Sequence, residues 1–244
     1  MNSLLKGKVA IVTGAARGIG RATALKVASH GARVALTDIR GDELADTRAR
    51  IEASGGSARH YQADLTDDAA VSCLVAQVRD EFGTIDVLVN IAGISVEMPL
   101  NEMPMDVWDR IVDTNLRAVA LLTKNVLPTM IERGSGNICS IASASALRGL
   151  PGSTAYSAAK AGVVALTQAL GDEVRSHNIR VNVICPGPVD TELFRKSAKH
   201  DFILAAGGDV FRPETIANAV LYLVSPLSEG MSSQVLTIRG LNRW

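Results

Sequence analysis

Residues 9–20 read VAIVTGAARGIG, a short apolar run followed by three closely spaced glycines. The run is typical of a buried strand, and helical spacing of apolar residues begins straight after it, over Ile19–Ser29. Glycines at such a junction allow a tight turn and let the backbone approach a pyrophosphate, which N–H groups at the helix start can bind. The spacing GxxxGxG alone would also suit a structural turn. Its position between a first strand and a first helix favours a nucleotide-binding loop.

The same alternation of strand and helix patterns continues along the chain. Further strands are predicted at Arg33–Asp38, Ala58–Gln62, Val87–Asn90, Gly136–Ile141, Ile179–Cys185 and Gln234–Ile238. Further helices are predicted at Asp42–Ser54, Asp67–Phe82, Asp106–Met130, Ala155–Ser176 and Pro213–Val224, with Asp42 and Asp67 as candidate N-caps. Continuous apolar strands separated by helices imply a parallel sheet covered on both faces. We therefore expect one α/β domain over residues 1–244, a doubly wound, Rossmann-type fold with a seven-stranded parallel sheet.

The least regular segment runs from Pro186 to Arg212. It has mixed polarity, two adjacent glycines (Gly207 and Gly208) and no sustained period. A loop of this length in a compact domain is usually functional or mobile. This predicts a mobile substrate lid over about residues 188–212.

Composition excludes several classes of protein. Lys plus Arg number 25 and Asp plus Glu number 25, so the chain has no electrostatic footprint for nucleic acid or an anionic membrane. Cys73, Cys139 and Cys185 lie far apart and the four histidines are scattered, which indicates buried reduced thiols, no disulfide and no metal site. No stretch approaches 18 apolar residues, so a membrane span is not expected. These features favour a cytoplasmic location.

Asp38 ends the second predicted strand, eighteen residues beyond Gly20. A carboxylate there can accept hydrogen bonds from both hydroxyls of an adenosine ribose and would repel a 2′-phosphate. Asp38 could instead cap the following helix, and Arg17 or Arg40 could pair with a phosphate. The carboxylate in the ribose position favours NAD over NADP.

Tyr156 and Lys160 open the helical pattern that follows the fifth predicted strand. Residues four apart lie on one helical face, so the ammonium can stand beside the phenol. A phenol has a pKa near 10, and a neighbouring positive charge favours the phenolate. Tyr156 would then be a usable proton acceptor. A tyrosine and a lysine four residues apart can occur by chance, so this pair indicates a catalytic site only together with other motifs.

That context comes from several motifs in a fixed order: Thr13–Gly20, Asn90-Ile91-Ala92-Gly93, Asn115, Ser143, Tyr156 with Lys160, and Pro186-Gly187. Together they resemble the short-chain dehydrogenase/reductase family over essentially residues 6–240. The resemblance implies that Tyr156 is the catalytic acid/base and that Ser143 hydrogen-bonds the substrate oxygen. Lys160 would hold the nicotinamide ribose and lower the tyrosine pKa. Asn115 would interrupt its helix and support a water-mediated proton path through Lys160.

The resemblance also implies a set of cofactor contacts. Besides Tyr156 and Lys160, these are Gly14, Arg17, Gly18, Ile19, Gly20, Asp38, Asp64, Leu65, Asn90, Ala92, Gly93, Pro186, Gly187, Val189 and Thr191. Asp64 and Leu65 would lie beside the adenine, and Val189 and Thr191 would clamp the carboxamide. Ile91, Ala118 and Arg239 depart from the family pattern.

Family members usually form tetramers through the two long helices, here Asp106–Met130 and Ala155–Ser176, and the C-terminal strand. Both helices are more apolar than one buried face requires, which indicates a partner surface. We therefore expect a homotetramer. Arg239, where the family often has an acidic residue, disfavours the usual C-terminal subunit contacts.

Three functions remain open at this stage. The first is an NAD-dependent secondary-alcohol dehydrogenase, and the second an NADPH-dependent carbonyl reductase such as a 3-oxoacyl carrier-protein reductase. The third is a nucleotide-sensing protein, which typically loses the tyrosine or lysine that this chain retains.

The substrate pocket is expected to be apolar. Its predicted lining is Val96, Met98, Leu147, Leu150, Leu193 and Phe194, with Arg148 and Arg195 only at the edges. A site for an anion would normally hold a positioned cation. This predicts a small, uncharged, hydrophobic alcohol or ketone as substrate.

Overall fold

Seven parallel strands form one sheet at the centre of the computed structural model, which describes residues 3–240. In chain order the strands are β1 (Val9–Thr13), β2 (Arg33–Asp38), β3 (Ser57–Gln62), β4 (Val87–Asn90), β5 (Gly136–Ile141), β6 (Ile179–Pro186) and β7 (Val235–Ile238). Their spatial order is β3-β2-β1-β4-β5-β6-β7. This confirms the predicted doubly wound, Rossmann-type sheet; residues 1, 2 and 241–244 of the expected domain lie outside the described part.

Helices cover both faces of this sheet. They are α1 (Gly18–Ser29), α2 (Gly41–Ala53), α3 (Asp68–Phe82), α4 (Met105–Val112), α5 (Ala118–Arg133), α6 (Thr154–Glu173), α7 (Glu192–Arg195), α8 (His200–Ala205) and α9 (Pro213–Val224). Alternate residues of β1 belong to two different cores, because successive side chains point to opposite faces. Ala10 and Val12 pack with residues of α1 and α9, whereas Val9 and Ile11 pack with residues of α3 and α5.

The predicted long helix Asp106–Met130 is interrupted. The chain forms α4, then a π-helical turn over Asp113–Arg117, then α5. The cause is local: Asn115 Nδ2 donates to the Ile111 carbonyl oxygen at 2.8 Å, an acceptor that an uninterrupted helix would use for a backbone N–H. The interruption expected from the family resemblance is thus present.

Two helix starts test the expected caps. Asp67 caps α3, because its carboxylate accepts hydrogen bonds from the backbone N–H groups of Ala69 and Ala70. Asp42 is not a cap, since α2 begins at Gly41 and Asp42 lies within its first turn. A carboxylate in that turn still stabilises the helix through the macrodipole.

The segment 188–212 is more regular than the sequence indicated, because it contains the two short helices α7 and α8. The prediction of buried thiols is correct for Cys139 and Cys185 and wrong for Cys73, which is exposed on α3. Within residues 3–240, none of the helices has the length and apolar character needed to cross a bilayer.

Candidate active site

The glycine loop after β1 lies against the end of β4, at the point where the strand order reverses. Thr13 Oγ1 accepts hydrogen bonds from the backbone N–H groups of Ile91 at 2.8 Å and Ala92 at 3.0 Å. Gly14 has φ +63°, and a Cβ there would come within 3.1 Å of Ala92 Cα. In doubly wound folds such a crevice at the carboxyl ends of the strands is where nucleotides bind.

The rest of the loop is equally tight. A Cβ on Gly20 would collide with the carbonyl oxygen of Gly14, and a Cβ on Gly18 would lie 3.2 Å from Thr191 Cγ2. Ile19 and Arg17 line the cavity described below. The three glycines therefore form a cradle in which only backbone fits.

Asp38 contacts this loop from the end of β2. Its carboxylate accepts hydrogen bonds from the N–H of Ala16 at 3.2 Å and from the N–H of Arg40 at 3.1 Å. The alternative role as the cap of α2 is not found, since the N-cap position is held by Arg40 without a side-chain bond. The carboxylate thus lies beside the phosphate loop, where an adenosine ribose would be expected.

Both arginines that could bind a 2′-phosphate are already paired with carboxylates. Arg17 forms an ion pair with Glu192 of α7, and Arg40 Nη1 lies 2.9 Å from Glu43 Oε1. The hydrogen bond from Arg40 is the main influence that lowers the pKa of Glu43. Neither guanidinium is a free cation at this end of the crevice.

Asp64 and Leu65 follow β3 at the same edge of the sheet. Asp64 Oδ1 accepts hydrogen bonds from the N–H and the hydroxyl of Thr66, and Leu65 is buried. Neither residue lines the main cavity, and their contact with an adenine stays a prediction.

The side chain of Asn90 does not face the crevice, although a cofactor contact is predicted for this residue. Its side chain is 3% exposed and donates to Thr123 Oγ1 and Ser140 Oγ, both at 3.3 Å, between the sheet and α5. A buried amide has to be hydrogen-bonded, and these partners turn it away from the site. Its role as a cofactor contact stays a prediction, which the backbone of Asn90 rather than its side chain would have to fulfil. Ala92 and Gly93 lie beside the glycine loop and the cavity respectively.

Three candidate catalytic side chains converge from β5 and α6. Ser143 follows β5, and Tyr156 and Lys160 lie one turn apart near the start of α6. Lys160 Nζ donates to the Ile141 carbonyl oxygen at 2.9 Å and lies 5.8 Å from the centre of the Tyr156 ring. Lys160 is only 3% exposed, so its ammonium is held in place.

Ser143 is oriented by Ser145, which sequence analysis did not assign to the site. Ser143 Oγ accepts hydrogen bonds from Ser145 N at 3.2 Å and from Ser145 Oγ at 2.9 Å. Ser143 can then donate its own proton to Tyr156, and this hydrogen bond lowers the tyrosine pKa.

The pKa of Tyr156 nevertheless lies above its ordinary value, contrary to expectation. Burial raises the pKa of Tyr156 to about 12 and lowers the pKa of Lys160 to about 8. Both shifts have the same cause, because a low-dielectric setting disfavours the phenolate and the ammonium alike. The hydrogen bond from Ser143, which lowers the pKa of Tyr156, is thus outweighed by the cost of burying the phenolate.

Asn115 lies next to Lys160, across Gly93. Its Nδ2 also donates to the Ile94 carbonyl oxygen at 2.8 Å, while its buried Oδ1 has no hydrogen-bond partner in the described chain. A Cβ on Gly93 would lie 2.6 Å from Asn115 Oδ1 and 3.5 Å from Lys160 Nζ. Gly93 is therefore what leaves the space between these two polar groups open.

One cavity of about 530 Å³ collects most of the predicted site. Its wall includes Arg17, Ile19, Gly93, Asn115, Ser143, Tyr156, Lys160, Pro186, Gly187, Val189 and Thr191. The glycine-loop residues Gly14, Gly18 and Gly20 lie behind Arg17 and Ile19. Among residues 3–240, no cluster of three or more His, Cys, Asp or Glu could hold a metal ion.

The chain after β6 is held in a defined path beside this cavity. Val189 pairs with Phe211, and Thr191 Oγ1 caps α7 by accepting a hydrogen bond from Phe194 N. Thr191 also presents its methyl group to Gly18. Val189 thus pairs within segment 188–212, and Thr191 connects this segment with the glycine loop.

The substrate end of the site is more polar than predicted. Val96, Leu193 and Phe194 line the main cavity and Leu150 a smaller adjoining one, but Leu147 is exposed and Met98 packs against a separate core. Arg148 and Arg195 line neither cavity, whereas Lys196 and Lys199 do. The expectation that no cation lines the pocket is wrong, because the fold of segment 188–212 places Lys199 against the smaller cavity. Lys196, at the wall of the main cavity, stays largely exposed.

The comparisons with known proteins agree with this geometry. A model of the short chain dehydrogenase family matches residues 8–201. The chain is 40% identical over 246 residues to the 3-oxoacyl-[acyl-carrier-protein] reductase FabG of Chlamydia muridarum, with 98% of this chain and 99% of that protein covered. It is 37% identical over 240 residues to a (2S)-[(R)-hydroxy(phenyl)methyl]succinyl-CoA dehydrogenase subunit of Thauera aromatica, with 97% and 96% covered.

A solved structure is similar over almost its whole length. It is a 7α-hydroxysteroid dehydrogenase in complex with NADH and 7-oxo glycochenodeoxycholic acid, with a TM-score of 0.93 and 32% identity. The match covers 99% of this chain and 98% of that one.

Proposed function

Because this chain belongs to the short-chain dehydrogenase/reductase family and is an oxidoreductase acting on CH–OH groups, we propose that it interconverts a secondary alcohol and its ketone with NAD(H). The observation that carries the proposal is the convergence of Ser143, Tyr156 and Lys160 on one cavity that opens beside a glycine cradle. A proton-transfer group and a nucleotide crevice in one cavity are what this reaction requires.

The residues present fit a nicotinamide dinucleotide. Gly14, Gly18 and Gly20 let the loop pack closely against Ala92, Thr191 and its own backbone, where a Cβ would not fit. The N–H groups at the start of α1 would bind the pyrophosphate. Asp38 would accept hydrogen bonds from the hydroxyls of the adenosine ribose, and Lys160 would donate hydrogen bonds to the hydroxyl oxygens of the nicotinamide ribose. When bound, the nicotinamide supplies the hydride acceptor or donor.

The proton is handled by this chain's own side chains. In oxidation, the phenolate oxygen of Tyr156 takes the proton of the substrate hydroxyl as hydride leaves the carbinol carbon. With substrate bound, Ser143 donates its single hydroxyl proton to the substrate oxygen instead of to Tyr156, and Ser143 is itself fixed by Ser145. The proton then leaves Tyr156 along a path past Lys160 and Asn115, whose Oδ1 is free to accept a hydrogen bond. In reduction the same steps run backwards.

The pH dependence should differ between the two directions. The pKa of Tyr156 is about 12, so below that pH the phenolate fraction rises about tenfold per pH unit and the oxidation rate should follow it between about pH 6 and 8. Above pH 8 the rise should weaken, since Lys160, with a pKa of about 8, loses the charge that favours the phenolate. Ketone reduction needs the phenol, which dominates throughout, and should stay nearly flat.

The pH dependence is measured by initial rates in both directions. A deuterated alcohol shows whether hydride transfer limits the rate of oxidation. An oxidation rate that is flat between about pH 6 and 8 while hydride transfer is limiting would identify a base other than Tyr156.

NAD is proposed over NADP on the geometry of the ribose end. Asp38 places a negative charge beside the loop, and Arg17 and Arg40 are both engaged by carboxylates. A 2′-phosphate would have to displace one of these pairs and approach Asp38.

A second candidate function is NADPH-dependent reduction of a 3-oxoacyl thioester. It is favoured by the names of relatives such as the Chlamydia muridarum protein. One assay distinguishes the two: the absorbance of the reduced nicotinamide is followed with NADH and with NADPH, on secondary alcohols, their ketones and a 3-oxoacyl thioester. Turnover of alcohols or ketones with NAD(H) supports the proposal, and exclusive use of NADPH favours the second candidate. Absence of turnover with either cofactor contradicts both.

We also propose that segment 188–212 covers the substrate as a lid. Leu193 and Phe194 of α7 form part of the cavity wall, and the ion pair of Arg17 with Glu192 joins this segment to the phosphate loop. Closure over the cavity would exclude water from hydride transfer.

A homotetramer is proposed from the helices that flank the site. Leu121 of α5 and Val164 and Leu166 of α6 remain partly exposed in the single chain. Apolar surface of this kind marks a partner interface. Light scattering should give four times the mass of the chain, and Leu166→Glu should shift the protein towards smaller species. A wild-type protein that stays monomeric at micromolar concentration contradicts this proposal.

A further inference from the structure

A small cavity with several polar side chains in its wall adjoins the reacting groups, and no residue of the glycine loop lines it. It measures about 110 Å³, and Ser143 and Tyr156 form one wall. The other walls include Glu97, Ser153, Ser197 and Lys199. A substrate whose reacting oxygen lies at Tyr156 can place a neighbouring polar group here.

Lys199 is held with its ammonium facing this cavity. Its Nζ donates to Ser153 Oγ at 2.8 Å, and Ser153 is itself only 4% exposed. An ammonium has three protons, and Ser153 takes one. The nearest carboxylate oxygen, Glu97 Oε1, is 3.9 Å away, beyond hydrogen-bond distance. The ammonium therefore retains protons for a further acceptor.

Glu97 fixes this arrangement and balances its charge. Its two oxygens accept hydrogen bonds from Ser197 Oγ at 2.8 Å and from the N–H of Ala198 at 3.2 Å, which tie the start of α8 to the loop after β4. Only 20% of the Glu97 side chain and 29% of the Lys199 side chain are exposed. The pair is thus a partly buried, neutral unit, and Glu97 is a positioning residue for Lys199.

We propose that Lys199 is a specificity-determining residue that binds a second, uncharged oxygen of the substrate, a carbonyl or hydroxyl a few bonds from the reacting carbon. The small volume of the cavity sets the short separation. The carboxylate of Glu97 disfavours an anionic group, because a substrate carboxylate bound to Lys199 would face a like charge. The inference rests on the proposed alcohol dehydrogenase activity and names the substrate class for it.

The test uses three alcohols of equal size: 2-heptanol, methyl 3-hydroxybutanoate and 3-hydroxypentanoate. Wild-type enzyme should use the ester about tenfold better than 2-heptanol in kcat/KM, because a charged donor is gained. Lys199→Met should raise KM for the ester until this preference is lost, and it should leave kcat/KM for 2-heptanol unchanged. Lys6→Met, at an exposed lysine that lines neither cavity, is the control and should keep the preference. Glu97→Gln should improve use of the anion relative to the ester.

A binding measurement keeps this inference separable from the proposed activity. Calorimetry on the NAD complex of Tyr156→Phe, which should bind without turnover, gives the affinity for the ester and for 2-heptanol directly. Tighter binding of the ester than of 2-heptanol, lost when Lys199→Met is added, supports the inference. It does so even if wild-type enzyme shows no turnover, because absence of turnover contradicts only the proposed function. Three results overturn the inference. They are equal binding of the ester and 2-heptanol, a preference for the ester that survives Lys199→Met, and a preference of wild-type enzyme for the anion.

Discussion

Replacing Tyr156 by phenylalanine is expected to lower kcat at least about 100-fold in both directions, the scale of a lost general acid–base group. The substitution removes one oxygen from a half-buried ring and leaves the packing of α6 intact. Affinity for NAD should stay nearly unchanged, because the glycine cradle, Asp38 and Lys160 are untouched. Steady-state kinetics and fluorescence titration with NADH measure the two effects separately.

The control for this variant is Tyr61→Phe. The Tyr61 hydroxyl donates to Glu81 Oε2 at 2.6 Å on the surface, away from the cavity, so its loss tests the general effect of removing a phenol. This control should retain full activity. A Tyr156→Phe enzyme within about tenfold of wild type would show that another group moves the proton.

Replacing Asp38 by serine should weaken NAD binding by about 1.5–3 kcal/mol, or roughly 10- to 150-fold in Kd, the cost of losing charged hydrogen bonds to the ribose. NADP binding should improve at the same time, because the charge that repels a 2′-phosphate is gone. The ratio of the two dissociation constants is the measured quantity, since it cancels any general loosening of the loop around Ala16.

Two further variants make this test specific. Asp38→Asn removes the charge and keeps an acceptor, so its NAD affinity should fall less than that of Asp38→Ser. Asp42→Ser removes an exposed carboxylate four residues away that makes no contact with the loop, and should change neither affinity. A wild-type protein that already binds NADP more tightly than NAD contradicts the assigned role of Asp38.

The position of the site within the fold could be predicted because it follows from local patterns. The strand, the glycines and the helix of residues 9–29 are contiguous, and the four-residue spacing of Tyr156 and Lys160 is a property of one helix. Even the interruption at Asn115 is local, since its side chain bonds a carbonyl one turn earlier. Local hydrogen bonds and steric limits act within a few residues, so the sequence carries them directly.

The character of the substrate end could not be predicted in the same way. The hydroxyl of Ser197 and the carboxylate of Glu97 are 100 residues apart in the chain and hydrogen-bonded in space. Individual apolar residues of the loops suggested an apolar pocket, but whether Leu147 faces solvent and Lys199 faces the cavity depends on how α7 and α8 fold back on the site.

The sequence by itself thus determined the seven-stranded parallel sheet and the glycine turn after β1, and through the family resemblance it proposed Ser143, Tyr156 and Lys160 as the catalytic residues. Periodicity and motif spacing express constraints between near neighbours. Only the tertiary structure decided that Asn90 turns away from the crevice, that Arg17 pairs with Glu192, and that the pKa of Tyr156 is raised rather than lowered. Each of these depends on which distant groups surround a side chain and how much water they exclude, and that environment exists only once the chain has folded.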